Sequence, residues 1–395
     1  ISAAGTWADV ATSKNFATVK LTSNDLKDDP LQKGGFLLGQ TVTVDLRKGS
    51  TLLDTTNYKG AVQRTVAEKT APGGDITIAS SGDIVLRQGA TVDVSGGGYR
   101  YAAGTRGTTR LISSGKIYDV STAPADLRYD RLLGDSYVVS HAKWGVTERF
   151  SSILGQSVTS EAGYVEGMAG GTLTLYAPNM ALDGSLKAGS TAGRLQNATN
   201  AAVMAGKLVL GDPTQVGLQT PDFKVGNVTF AGDVTVLDPG FGPESALPST
   251  RIGDTLLAAG MFAPGKSAAG GDFVTTGFSH AQINANGRIE VARNATITLP
   301  AGGALNLTAG VVVTNGSIVV PSGTISLNGT NTRMSTDARV TIGDGVLLSA
   351  AGHWDNLARN PAASALTSPA QLEGGSVAVS GFDVSLSSGA TIDVS

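Results

Sequence analysis

Aliphatic residues alternate with small or polar ones in short runs along this chain, and helical periodicity is almost absent. In GGDITIASSGDIVLRQGATVDVS (Gly73–Ser95), Ile76 and Ile78 point one way and Thr77 the other. Ile84 and Leu86 bracket Val85, and Val92 and Val94 bracket Asp93. Alternation with period two marks a half-buried strand, so this stretch predicts three short strands with their aliphatic side chains inward. Gly82 and Gly89 stand at the bends, where positive φ is needed.

Nearly the same text closes the chain. Gly374–Ser395 reads GGSVAVSGFDVSLSSGATIDVS, and from Asp83 and Asp383 onward the two copies align without a gap. Ile84 matches Val384, Leu86 Leu386, Val92 Ile392 and Asp93 Asp393. A fainter copy, GGTLTLYAPNMALDGSLKAGS, occupies Gly170–Ser190. A unit of about twenty residues with Gly-rich corners points to a solenoid. A three-strand repeat that returns in frame stacks strand on strand, in parallel. Coils would sit about 4.8 Å apart, and about fifteen of them would span on the order of 70 Å. Hairpin turn signals, which an antiparallel sandwich would need, are sparse: Asn315-Gly316 and Asn328-Gly329. The expected fold is therefore all-β, a right-handed parallel β-helix (β-solenoid) with lateral loop excursions, right-handed as parallel crossovers are.

The array is most even from Gly287 to Leu348. The expected shaft runs over residues 73–395, with excursions at about 96–169 and 212–285. The first excursion holds six of the eight tyrosines together with Trp144 and Phe150; the second carries most prolines of the middle chain. A shorter Ala- and Pro-rich loop lies between Asp355 and Glu373. Residues 1–72 are expected to be irregular β-helix coils, with GQTVTVDLRKGSTLL (Gly39–Leu53) as one of them.

Composition bears on partners and compartment. With 41% hydrophobic residues and a net charge of −3, the 395-residue chain should fold rather than stay disordered. Nothing in that charge calls for a nucleic acid or a membrane surface. Cysteine is absent, which fits a protein that crosses a membrane unfolded. The sequence starts at Ile1 without a signal peptide, and it has no apolar run of transmembrane length. It stops at Ser395, where the earlier copy continues with Gly96-Gly97-Gly98. A piece of a longer chain is the expectation, since a solenoid end left open exposes strand edges.

The pattern GG-(D/S)-x-V-x-V…GATVDVSGG resembles the repeats of filamentous-haemagglutinin-type exoproteins, the large cargo of bacterial two-partner secretion. YVVSHAKWGVTERF (Tyr137–Phe150), GGALNLTAG (Gly302–Gly310) and HWDN (His353–Asn356) strengthen the likeness through their order. The family's asparagine-containing secretion domain is not legible here, as in a stretch of shaft. The resemblance implies a right-handed parallel β-helix, export through an outer-membrane secretion partner, and a secreted or cell-surface location. It also implies adhesion, aggregation or biofilm matrix as the work. The partners would be cell-surface or matrix polysaccharide or protein, or further copies assembled into fibres.

Candidate chemistry is thin. Gly260–Ser267, GMFAPGKS, satisfies the phosphate-loop pattern, but AAGGDFVTTG after it cannot make the helix that would hold phosphate. Glycoside hydrolysis wants two facing carboxylates. Adjacent acids occur only at Asp28-Asp29, and Asp83, Asp93, Asp383 and Asp393 recur in register as a repeat constraint would. His141, His280 and His353 have no metal-ligand spacing. Sequons stand at Asn197, Asn227, Asn294, Asn306, Asn315 and Asn328; asparagine at a β-helix corner also has a turn-forming role. The expectation is no enzyme, no metal and no cofactor. Recognition is placed on the aromatic excursion, at Tyr99, Tyr101, Tyr129, Arg131, Trp144 and Arg149, because amphipathic rings are typical of contact surfaces. The competing role for the rings is to cover the apolar side of the coils. The alternative functions are a polysaccharide-active β-helix enzyme and a carbohydrate-binding module.

Overall fold

The structure, a computed structural model, describes residues 1–395 except 28, 134–136, 142, 151–156, 197–202, 243, 263, 269–271 and 356–369. Strands take 42% of it and helices 8%, so the fold is all-β, with parallel strands in its sheets and no closed barrel. The chain forms two compact units. The first comprises Ile1–Ala8, Val66–Tyr99 and Val165–Ser395; the second comprises Asp9–Thr65 and Arg100–Tyr164.

The alternation becomes columns in the first unit. Its main sheet runs Ile76–Ala79, Thr172–Tyr176, Lys207–Leu210, His280–Val291, Ala304–Thr314, Thr324–Gly329 and Ser376–Ser380, each neighbour paired in parallel. Across it Ile76, Leu173, Leu208, Ala281, Leu305, Ile325 and Val377 fall in one register column, and Ile78, Leu175, Leu210, Ile283, Leu307, Leu327 and Val379 in the next. From Leu173 to Leu327 these side chains are buried in one apolar cluster, while the column between them is Thr77, Thr174, Val209, Gln282, Asn306, Ser326 and Ala378. Successive side chains of a strand point to opposite faces, so the alternation sets which columns are enclosed, with Val209 a buried apolar exception in the intervening one.

The two long strands bend at a register shift between Ala285 and Arg288. Beyond it Val228, Ile289, Val312, Val340 and Val384 align. A further parallel sheet lines up Ile297, Ile318, Leu348 and Ile392. The repeated texts occupy matching places. The three strands of Gly73–Ser95 each pair in parallel with a strand of Gly170–Ser190, and those of Gly374–Ser395 pair with Thr324–Gly329, Arg339–Ile342 and Leu347–Ser349. Gly89 and its counterpart Gly389 turn at φ +88° and +70°. At another corner a Cβ on Gly323 would lie 2.3 Å from the Gly303 carbonyl oxygen, so stacking this close admits only glycine there.

Polar residues enter the inward columns at Thr255, which pairs with Val228, and at Thr314. Thr314 aligns with Val291 and Ile342. It is fully buried, and its hydroxyl finds no hydrogen-bond partner among the described residues. Burying an unpaired hydroxyl costs on the order of 1–3 kcal/mol. Thr314→Val is expected to raise stability by about 1 kcal/mol, read from urea unfolding. A loss of stability would mean that the hydroxyl does have a partner.

Two expectations change. The Gly39–Leu53 stretch is not a parallel coil: its strand, Thr41–Asp45, pairs antiparallel with Phe16–Lys20. Period two reports a half-buried strand and says nothing of its partner's direction. The aromatic stretch 96–169 is not a set of loops on a shaft either. Most of it, Arg100–Tyr164, joins Asp9–Thr65 in the second unit. That unit has its own core of Val19, Leu21, Val42, Val44, Leu111 and Tyr129, and its strands are antiparallel. Gly104–Thr108 pairs with Ser157–Glu161, Arg110–Ser113 with Lys116–Asp119, and Tyr137–His141 with Val146–Phe150. Within 212–285, Asn227–Ala231 and Asp254–Ala258 rejoin the parallel sheet. Most of the loop between Asp355 and Glu373 lies outside the described residues.

Candidate functional site

The aromatic residues singled out above are packing groups in the main. Tyr99, in the first unit, is 5% exposed and its hydroxyl donates to the Glu68 carbonyl at 2.9 Å. In the second unit Tyr101 is buried and stacked on Tyr164, centroids 4.6 Å apart. Tyr129 is buried, donates to the Pro124 carbonyl and meets Tyr118 edge-on. Burial, helped by Tyr118 and Asp126, pushes its phenol up to about 12. No open face for a sugar remains on these three rings. Tyr129 fills the second unit's aliphatic core, beside Leu111, Val120 and Leu132. Arg131 is exposed. Trp144 is 70% exposed, at the turn between Tyr137–His141 and Val146–Phe150. Arg149 belongs to the latter strand, and its side chain lies outside the described residues.

The other motifs resolve into structure. Gly260 to Phe262 form a short 3-10 turn with Phe262 fully buried, and Lys266–Ser267 is a strand paired antiparallel with Phe273–Thr275, so no helix follows the phosphate-loop pattern. Asp93 and Asp393 each accept the N–H two residues on, from Ser95 at 2.8 Å and Ser395 at 3.0 Å, a turn device that explains their recurrence. The bond from Ser395 holds the Asp393 carboxyl below its usual range. Asp83 accepts from the Asn179 amide at 2.7 Å, and Asp29 caps the helix Pro30–Lys33. Asn227 donates to Asp254 and Asn315 to Glu290; the sequon at Asn197 lies outside the described residues. Burial, then Lys207, pushes the half-buried His280 imidazole down. His353 is exposed, and the side chain of His141 lies outside the described residues. Among the described residues no group of three or more His, Asp or Glu is placed to hold a metal ion, and no helix is long and apolar enough to cross a membrane.

A groove of about 800 Å³ lies in the first unit. Three separated segments meet at its Asp222 carboxylate. The Asp222 carboxylate accepts from Lys224 Nζ at 2.7 Å, from Arg333 Nη1 at 2.6 Å and from the buried Asn286 amide at 2.8 Å. Asn286, from the strand His280–Val291, also accepts the Phe223 N–H at 2.7 Å. Arg333 stands in a turn held by its own N–H to the Pro221 carbonyl at 3.1 Å and by Thr332 Oγ1 to the Asn286 carbonyl. Lys224 has φ +62°, in the left-handed region that non-glycine residues rarely enter; the Asp222 side chain reaches both its N–H and its ammonium.

Tyr176, Asn179, Ile252 and Met334 complete the lining. Asn179 is fixed from two sides, donating to Asp83 and accepting the Gly253 N–H at 2.8 Å. Tyr176 rests against the aliphatic core. Ile252 and Met334 are 55% and 62% exposed. Burial works against the Asp222 carboxylate, but the hydrogen bonds from Lys224, Arg333 and Asn286 outweigh it and hold it well below the usual carboxylate range. A carboxylate that stays ionised cannot serve as a general acid, and among the described residues it is the only acid lining the groove. The described lining therefore lacks the carboxylate pair of glycoside hydrolysis. Sequence reading missed the groove because its parts, at 176, 222, 286 and 333, are brought together only by the pairing of strands far apart in sequence. The pair Asp222 and Lys224 was the one local signal. Comparison with protein-family models, with curated proteins and with solved structures found no match to this chain.

Proposed function

We propose that the first unit is a stretch of right-handed parallel β-helix from a secreted bacterial surface exoprotein of the filamentous-haemagglutinin type, and that it works by adhesion, aggregation or building of a matrix rather than by catalysis. The single observation that carries this reading is the unbroken register of seven parallel strands, from Ile76–Ala79 to Ser376–Ser380, with the same inward columns throughout. Repeats stacked in this way share contacts only with neighbours, so length adds stability and surface together. The repeated texts at Gly73–Ser95 and Gly374–Ser395 lie in matching strands, as a shaft built by duplication would have them. Export through an outer-membrane partner would follow from this reading, and the absence of cysteine is consistent with it.

Display of the chain on a non-adherent bacterium tests the function. Displaying cells are expected to aggregate, or to retain surface biomass, at least several-fold above cells carrying the empty display scaffold. The purified chain incubated with bacterial and plant polysaccharides should release no shortened products. Equal biomass with and without the chain, or steady release of oligosaccharide, would overturn the proposal.

A further inference from the structure

The groove around Asp222 carries two cations against one carboxylate. Asp222 takes one N–H of Arg333, out of the five that a guanidinium presents in a fixed fork. The Arg333 side chain remains 70% exposed. Arg333 is thus oriented by an internal counter-ion and still has donors to give. A planar fork matches a planar carboxylate bidentately, which an ammonium cannot do. Beside it lie the half-buried ring of Tyr176 and the exposed side chains of Ile252 and Met334, with the Asn179 amide locked in place. Such a lining offers apolar faces and polar edges together, and this is the chemistry of a pyranose ring. The volume of about 800 Å³ falls within the usual range of ligand grooves.

We propose that this groove binds an acidic oligosaccharide whose uronate carboxylate is held by Arg333 and Lys224 and whose sugar ring packs on Tyr176. The proposal rests on the adhesive reading and deepens it by naming the class of ligand. An acidic peptide would call on the cations alone, whereas the Tyr176 ring and the fixed Asn179 amide beside them add a flat face and a polar edge suited to a sugar ring. A uronate polymer is therefore favoured over an acidic peptide.

Calorimetric titration of the full chain tests this with three probes: an oligogalacturonate, a neutral glucan oligomer of the same length, and poly-glutamate. The oligogalacturonate is expected to bind at least tenfold more tightly than the other two, with affinity falling as sodium chloride is raised. Arg333→Ala should weaken it at least tenfold, and Arg333→Lys should restore only part of the loss. Because Arg333 is exposed, melting of both variants should match the parent chain, which separates lost binding from lost fold. Equal affinity for the glucan or for poly-glutamate, tighter binding of a sulfated glucan, or an unchanged Arg333→Ala variant would each overturn the proposal. Cells that adhere when displaying Arg333→Ala as well as the parent chain would sink this inference and leave the adhesive reading standing. Loss of adhesion by the parent chain itself would sink that reading.

Discussion

Phe262→Ala is expected to destabilise the first unit by about 3–5 kcal/mol, the usual cost of emptying a buried aromatic site. Phe262 is fully enclosed, with its ring centroid 6.1 Å from Phe230 and 6.4 Å from Phe278. These three rings belong to the same buried apolar cluster as the leucine and valine columns. Phe230 belongs to Asn227–Ala231, which packs on the second half of His280–Val291, so a cavity here loosens the junction between two parallel ladders. Phe262→Leu, which keeps most of the volume, should cost less than about 1.5 kcal/mol. Lys266→Ala, in the same GMFAPGKS stretch but exposed, should change stability by no more than about 0.5 kcal/mol. Urea unfolding followed by far-UV circular dichroism ranks the three. A neutral Phe262→Ala would mean that the cluster collapses around the gap, and the packing account of this stretch would be wrong.

What the sequence made legible follows from range. The columns of Ile76, Leu173 and Leu305 were readable because period two is a local signal, and the repeat fixed the register by which one strand meets the next. The recurrence of Asp93 and Asp393 was readable as a turn requirement for the same reason: the N–H each accepts lies two residues away. Partner direction was not readable. Phe16–Lys20 and Thr41–Asp45 alternate as the parallel strands do, and only the fold shows them antiparallel. The tyrosines drew the recognition role because ring chemistry is the same whether a ring is open or buried. Tyr99 and Tyr129 have their hydroxyls taken by carbonyls, and the rings of Tyr101 and Tyr129 meet those of Tyr164 and Tyr118. The groove was invisible for a different reason. Asp222 and Arg333 are 111 residues apart, and no periodicity links the loop after Pro221 to a turn between the strands Thr324–Gly329 and Arg339–Ile342.

The same long reach governs the second large effect. Asp183→Ala is expected to cost about 3–5 kcal/mol, because it leaves a buried guanidinium without its counter-ion. Asp183 and Arg251 are 1% and 4% exposed at the side chain, with Nη2 3.0 Å from Oδ1. Arg251 Nη2 also donates to the Thr235 carbonyl, and the other Asp183 oxygen accepts the Leu237 N–H at 2.7 Å. Arg251 Nη1 is buried without a partner among the described residues, so the ion is already under-solvated and has nowhere to turn when the carboxylate goes. The pair fastens the segment before Asp254–Ala258 to the end of Asn179–Leu182, where Leu237 and Leu247 pack on Ala181. Asp183→Asn should cost less, since it can still accept from Leu237. Asp183→Ala combined with Arg251→Met should recover a large part of the loss, as apolar replacement of a buried pair often does. By contrast Asp337→Ala, which removes the counter-ion of the half-exposed Arg339, should cost no more than about 1 kcal/mol. A thermodynamic cycle over the two single variants and the double variant measures the coupling. Additive losses at Asp183 and Arg251 would show that the ion pair does not hold this segment down, and that Leu237 and Leu247 do so alone.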